Sequence, residues 1–152
     1  MFLTFTAMPM MATMLLADAA QAIENKLYVL GGGWSITGPD PTPSAIAIVL
    51  KVPWDEANAR HDLRIELIDA DGRPILVGSP EDQGKPVVIE SQFEVGRPPG
   101  LRPGTPIDLA FAVNIGPLPL PPGGRYEWRL TIDGHSEAHW HAAFSTRPKP
   151  NS

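Results

Sequence analysis

Eighteen prolines and fourteen glycines are spread along the 152 residues of this chain. They interrupt it at short intervals and gather into no single low-complexity tract. Proline locks φ and removes a backbone donor, so it breaks helix interiors and is kept out of central strands. A chain punctuated this way suits many short strands joined by stiff turns better than long helices. The residues between the breaks agree. Leu63, Ile65 and Leu67 alternate with Arg64 and Glu66, and Val87, Ile89, Phe93 and Val95 oppose Glu90, Gln92 and Glu94. Ile107, Leu109, Phe111, Val113 and Ile115 oppose Asp108, Ala110, Ala112 and Asn114. Tyr126, Trp128, Leu130 and Ile132 alternate with Arg125, Glu127, Arg129 and Thr131. Ala138, Trp140, Ala142 and Phe144 alternate with Glu137, His139, His141 and Ser145. A period of two marks the half-buried strand.

Residues 26–34 and 44–52 are near-continuous apolar runs and are expected as central strands. Pro53, then Asp55 and Glu56 ahead of alanines, predicts at most one short helical turn near 53–59. The Pro/Gly connectors at 96–106 and 116–124 suit crossings between sheets. Eight or nine short strands with no long helix are expected to form an all-β fold, an antiparallel β-sandwich. One sandwich domain is expected over 11–147, with 1–10 a disordered extension and 148–152 a disordered tail. In the last hairpin a two-residue Asp133-Gly134 loop would oppose Ile132 to His135 and Leu130 to Glu137. A three-residue loop, 133–135, pairs Trp128 with Trp140 and Arg129 with His139. That second register is predicted, with Gly134 or His135 left-handed.

The first 22 residues admit two readings. An apolar stretch ending in Ala20-Gln21-Ala22 imitates a secretory signal peptide. No Lys or Arg precedes Lys26, however, Pro9 interrupts the run and Asp18 sits where it should stay apolar. The other reading makes 12–19 the first strand. A cytoplasmic location goes with the strand, a secreted one with the signal peptide. A clean apolar run of about 18 residues, needed for a membrane-spanning helix, is not present.

Composition removes several function classes. The formal net charge is −5 and the 12 Lys and Arg are scattered, which argues against a nucleic-acid partner. There is no cysteine, so disulfides, zinc–thiolate sites and thiol catalysis are excluded. The triple glycine in "LYVLGGGWSI" follows an apolar run, as phosphate loops do. The helix start and Gly-Lys-Ser/Thr that such a loop requires do not follow. A strand corner is expected, with at least one of Gly31, Gly32 and Gly33 at positive φ or packed too tightly for a Cβ.

His139 and His141 flank Trp140 in an H-x-H arrangement that cupin-like barrels use for a metal. No acidic ligand follows, and alternation turns both imidazoles outward, so they are the weak metal candidates. Asp55-Glu56, Asp69/Asp71 and Glu81-Asp82 fall in turns, where Asp is recruited for backbone hydrogen bonds. Asp69-Ala70-Asp71-Gly72 with Asp18 is a remote calcium-loop candidate. No Gly-x-Ser-x-Gly elbow is present. Trp128 and Trp140 read as core. Trp34 and Trp54 adjoin turns and are the candidate partner contacts.

"LLADAAQ" (15–21), "KLYVLGGGWS" (26–35), "PWDEAN" (53–58) and "LPLPPGGRYEWRLTIDG" (118–134) together resemble a family of small uncharacterised bacterial proteins. The likeness covers about Met11 to Arg147. The pattern at 124–134 is also similar to a strand pair of immunoglobulin-like sandwiches, which implies that fold and nothing about activity. The expectation is a non-catalytic interaction or structural module with no cofactor, an unknown protein partner and a possible homo-oligomer. The alternative is a cupin-like metal-dependent or small-molecule-binding protein using His139 and His141.

Overall fold

The computed structural model describes residues 9–79, 81 and 83–151. Residues 1–8 of the expected extension, Asp82 of the Glu81-Asp82 pair and the final residue of the expected tail lie outside the described residues. The elements are β1 (Met11–Ala17), β2 (Ala19–Ile23), β3 (Lys26–Leu30), β4 (Ile36–Thr37), β5 (Ser44–Val52), a 3-10 turn (Trp54–Glu56), β6 (Arg60–Asp69), β7 (Leu76–Val77), β8 (Lys85–Pro86), β9 (Val88–Glu94), β10 (Ile107–Ile115), β11 (Arg125–Ile132) and β12 (His141–Thr146). The fold is all-β, and the 3-10 turn at Trp54–Glu56 falls where Pro53 and the acidic pair predict a short helical turn. Eight or nine strands were expected and twelve are present among the described residues; β4, β7 and β8 are two-residue strands too short to show a period.

Two sheets carry most of the structure. One has the order β1-β5-β10 and is antiparallel throughout; the other has the order β4-β12-β11-β6-β9, with a parallel contact only between β4 and β12. Ile46, Ile48, Leu50 and Val52 of β5 meet Leu63, Ile65 and Leu67 of β6 and Trp128, Leu130 and Ile132 of β11 in one apolar cluster. Each such side chain stabilises the fold by roughly 1.5–3 kcal/mol when fully buried. The apolar faces predicted for β6, β10 and β11 all turn toward this cluster.

β5 is a central strand, as its composition implied, and both of its faces are covered. Its other face carries Ala45 and Ala47, which pack with Ala17 and Ala20 under Leu27 and Val29. Ala20 belongs to β2, and Leu27 and Val29 to β3; these two strands form a separate two-stranded ribbon. The expectation that 26–34 is a central strand is therefore corrected. Its strand ends at Leu30, and its residues alternate between half-buried and exposed. β1 stops at Ala17 because the chain turns away there: the Asp18 N–H donates to the carbonyls of Leu30 and Gly31, at 3.0 and 3.1 Å.

The triple glycine forms the corner that brings the chain out of this ribbon. Gly31 and Gly33 have φ of 59° and 94°. Gly32 needs no special φ, but a Cβ on it would lie 2.6 Å from Val29 Cγ1 and 3.1 Å from Leu15 Cδ2. Gly32→Ala is expected to cost about 1–3 kcal/mol through overpacking, read as a lower thermal midpoint. An unchanged midpoint would show that this corner is looser than its contacts indicate.

The register expected for the last hairpin is wrong. β11 pairs Trp128 with Ala142 and Arg129 with His141. The two-residue turn set aside from the sequence is the one that forms. Asp133 and Gly134 have φ of 51° and 77°, and Ile132 and His135 exchange backbone bonds of 2.8 and 2.9 Å. Paired positive φ values match the right-handed twist of the flanking strands. The mismatch in apolar residues is absorbed by an excursion of residues 136–139. It is held by Ser136 Oγ donating to the Leu130 carbonyl at 2.7 Å and Trp140 N–H donating to Glu137 O at 3.0 Å. Trp140 then returns to the core.

Candidate functional site

The β2–β3 ribbon is built by a two-residue turn in which Glu24 and Asn25 both hold positive φ, 51° and 58°. Asparagine tolerates that conformation better than most residues. The turn pairs Ala20 with Val29 and Ala22 with Leu27 on one face, and Gln21 with Tyr28 and Ala19 with Leu30 on the other. The first face supplies Ala20, Leu27 and Val29 to the contact with Ala17, Ala45, Ala47 and Ala112 of the sheet below. Alanines allow that approach because nothing longer holds the layers apart.

Two asparagine side chains fasten the ribbon to β10. Asn25 Nδ2 donates to the Asp108 carbonyl at 2.7 Å, and its Oδ1 accepts the Ala110 N–H at 2.8 Å. Asn114 Nδ2 donates to the Ala20 carbonyl at 2.8 Å, and its Oδ1 accepts the Ala20 N–H at 3.3 Å. Each amide makes the donor–acceptor pair that a neighbouring strand would make.

The ribbon's second face turns apolar side chains to solvent. Leu30 is 71% exposed, Tyr28 56% and Ile23 49%. Met11 and Leu15 of β1 are exposed on the same side of the sheet, since they share a strand face with Ala17. Five of the seven large exposed apolar residues among the described residues thus lie on the ribbon or on the sheet face it covers; the other two are Ile36 and Leu76. The outer face of the five-stranded sheet is different. There Arg64 pairs with Glu90 at 3.2 Å, Asp62 accepts from Gln92 at 3.0 Å and Arg129 holds Glu127 at 2.6 Å. A cleft of about 550 Å3 lined by Asp62, Arg64, Glu90, Gln92 and Thr131 lies over these mutually satisfied groups.

One titratable cluster is built into the core edge. His61 is buried and stacks on Phe93, with ring centroids 5.1 Å apart. Its Nδ1 is 2.6 Å from Asp133 Oδ2 and its Nε2 2.8 Å from the Glu56 carbonyl. A carbonyl only accepts, so Nε2 carries a proton, and the charged imidazolium alone donates at both nitrogens. Burial would lower the His61 pKa. The Asp133 hydrogen bond, the Glu56 carbonyl and the nearby negative charges outweigh it and raise the pKa above its ordinary 6.5. Burial likewise pushes Asp133 up, but the bonds from His61 and from the Asp62 N–H, with the imidazolium charge, bring it below its ordinary 3.8. The pair has the form of two members of a hydrolytic triad, yet both ring nitrogens are taken and neither faces a nucleophile. Its effect is to tie the 3-10 turn, the start of β6 and the β11 turn together.

The residues singled out from the sequence are dispersed. His139 lies in the excursion before β12, and His141 opens β12 with its Nδ1 2.7 Å from the Ala138 carbonyl. They do not share a strand face, and Arg129 stands opposite His141 instead of His139. Among the described residues no three His, Asp or Glu side chains gather in a metal-holding group. Asp69 Oδ1 accepts the N–H groups of Asp71 and Arg73 at 2.9 and 3.0 Å, the ordinary use of Asp in a turn. Asp18 sits beside Gly31 in the ribbon. Trp34 is half-buried edge-on to Phe144 and lines a cavity of about 40 Å3, too small for an organic ligand. Trp54 is half-buried with the Arg97 guanidinium 4.3 Å over its ring. Trp128 and Trp140 are core, as expected. The exposed Tyr28 and Leu30 were missed, because an apolar run reads as buried when nothing in it distinguishes the two faces.

No helix among the described residues is long and apolar enough to cross a membrane. Residues 12–142 match a family of unknown function, DUF6941, and the chain belongs to that family. No curated protein and no solved structure matches it.

Proposed function

We propose that this protein is a non-catalytic interaction module on an immunoglobulin-like sandwich, and that it meets a protein partner through the outer face of the β2–β3 ribbon. The observation that carries the reading is the concentration of exposed Ile23, Tyr28, Leu30, Met11 and Leu15 on one side of the molecule. Contiguous exposed apolar surface marks contact sites, and aromatic residues at their centre dominate binding. Three features support the immunoglobulin-like assignment. Two sheets share one core, β4 runs parallel to β12, and Tyr126 Oη donates to the Pro121 carbonyl five residues upstream at 2.9 Å. That last bond has the form of a tyrosine corner.

A photo-reactive residue placed at Tyr28 tests the reading against one placed at Arg64, on the opposite face. In extract of the native cell, position 28 is expected to give a discrete protein adduct and position 64 none. Equal labelling from both positions would defeat the assignment of this face.

A further inference from the structure

β10 is the terminal strand of its sheet, and its far edge is unsatisfied in two ways. The first concerns the backbone. Asn25 takes the Asp108 carbonyl and the Ala110 N–H, so the even-numbered residues of β10 point away from β5. Among the described residues no group takes the N–H or the carbonyl of Ala112 or Asn114. The second concerns the core. Leu109, Phe111, Val113 and Ile115 are only partly buried, whereas Leu50, Ile48 and Ile46, paired with the first three, are 0% exposed. A slot of about 160 Å3 lined by Phe93, Leu109 and Phe111 opens between β9 and β10. No charged residue lies between Leu109 and Pro117. Natural edge strands are usually protected by charge, proline or a bulge, and an uncharged apolar edge invites strand addition.

We infer that a second copy of this chain occupies the edge, with β10 pairing antiparallel to β10 of its partner about a twofold axis at Val113. In this register Ala112 opposes Asn114 of the other copy, and the reverse, giving four backbone hydrogen bonds. Those bonds use the groups that Asn25 leaves free. Val113 then faces its symmetry mate on the core side, and Phe111 lies beside Ile115 of the other copy. Ala110, with Asn25 bound to it, comes opposite Gly116, which has no side chain and open space where a Cβ would stand. Shifting the pair toward Asp108 would drive the other strand into Asn25. The twofold leaves both ribbons on one side of a continuous six-stranded sheet. This edge is separate from the ribbon face, so dimerisation and partner binding stand or fall independently.

The chain has no cysteine, so the register is testable by trapping. A non-hydrogen-bonded antiparallel pair brings Cα atoms to about 4.5 Å, within disulfide reach. Under mild oxidation Val113→Cys is expected to form a covalent dimer rapidly and Leu109→Cys is not. Light scattering of the unmodified protein is expected to rise with concentration from 16.4 kDa toward twice that mass. Ala112→Pro removes a donor on the free edge and adds ring atoms beside the Ala17, Ala20, Ala45 and Ala47 contact. It is expected to retain the native circular dichroism and to weaken self-association roughly tenfold or more. A mass that stays monomeric at every concentration overturns the inference. So does trapping at Leu109→Cys as fast as at Val113→Cys, a readout that stands even if the proline variant fails to fold.

Discussion

Trp128→Ala is expected to remove about 3–5 kcal/mol of stability. Trp128 is 2% exposed and sits on β11 between Tyr126 and Leu130, in the centre of the five-stranded sheet's inner face. Alanine leaves a cavity walled by residues of both sheets, and strands cannot collapse into it without losing their ladders. Domains are stable by only about 5–15 kcal/mol, so the variant should melt on the order of 10 °C below the parent. Thermal denaturation followed by circular dichroism reads this directly. A shift of a degree or two would mean that the sheets do not close on this indole.

Asp133→Asn is expected to remove the acid limb of a pH dependence that the parent shows at both ends and to reduce the alkaline limb, where the Glu56 carbonyl still holds His61. Asparagine keeps the left-handed turn conformation and removes the charge. In the parent, the His61 pKa is raised on folding, so its contribution is complete below the unfolded value near 6.5 and is lost as pH rises through the folded value. The Asp133 pKa is lowered, so its contribution is complete above about 3.8 and is lost as pH falls through the folded value. Stability should therefore be greatest between about pH 4 and 6.5. The Asp133 side chain is 49% exposed, so solvent screening reduces the effect, and about 2 kcal/mol is expected at the optimum. Denaturant midpoints across pH measure it. A parent whose midpoint climbs from pH 6 to 8 would contradict the charged His61.

What the sequence made legible was what a period of two can carry. β6, β9, β10 and β11 each have one charged or polar face, so their orientation follows from reading alternate residues. The ribbon resisted because Leu27 and Val29 point to one side and Tyr28 and Leu30 to the other, and an apolar residue does not declare which side meets water. Its position over the sheet rests on Ala17, Ala20, Ala45, Ala47 and Ala112 and on the amides of Asn25 and Asn114, residue types too common to signal a contact. The last hairpin shows how a local preference can override pattern matching. The Asp133-Gly134 turn set the register at its tip, and four residues left the ladder so that Trp140 and Ala142 could still face inward. Asp133 was legible as a turn residue. Its bond to His61 was not, because the two are 72 positions apart.

Partner binding as proposed depends on the ribbon lying on the sheet with Tyr28 outward. Single cysteines at Tyr28, Val29 and Gln92, introduced into a chain that has none, test this placement through their rates of thiol labelling. In purified protein, positions 28 and 92 are expected to label fast and position 29 slowly. In native cell extract, position 28 is expected to become protected while position 92 stays fast. Fast labelling at 29 would contradict the placement, and no protection at 28 would contradict its role as a partner contact.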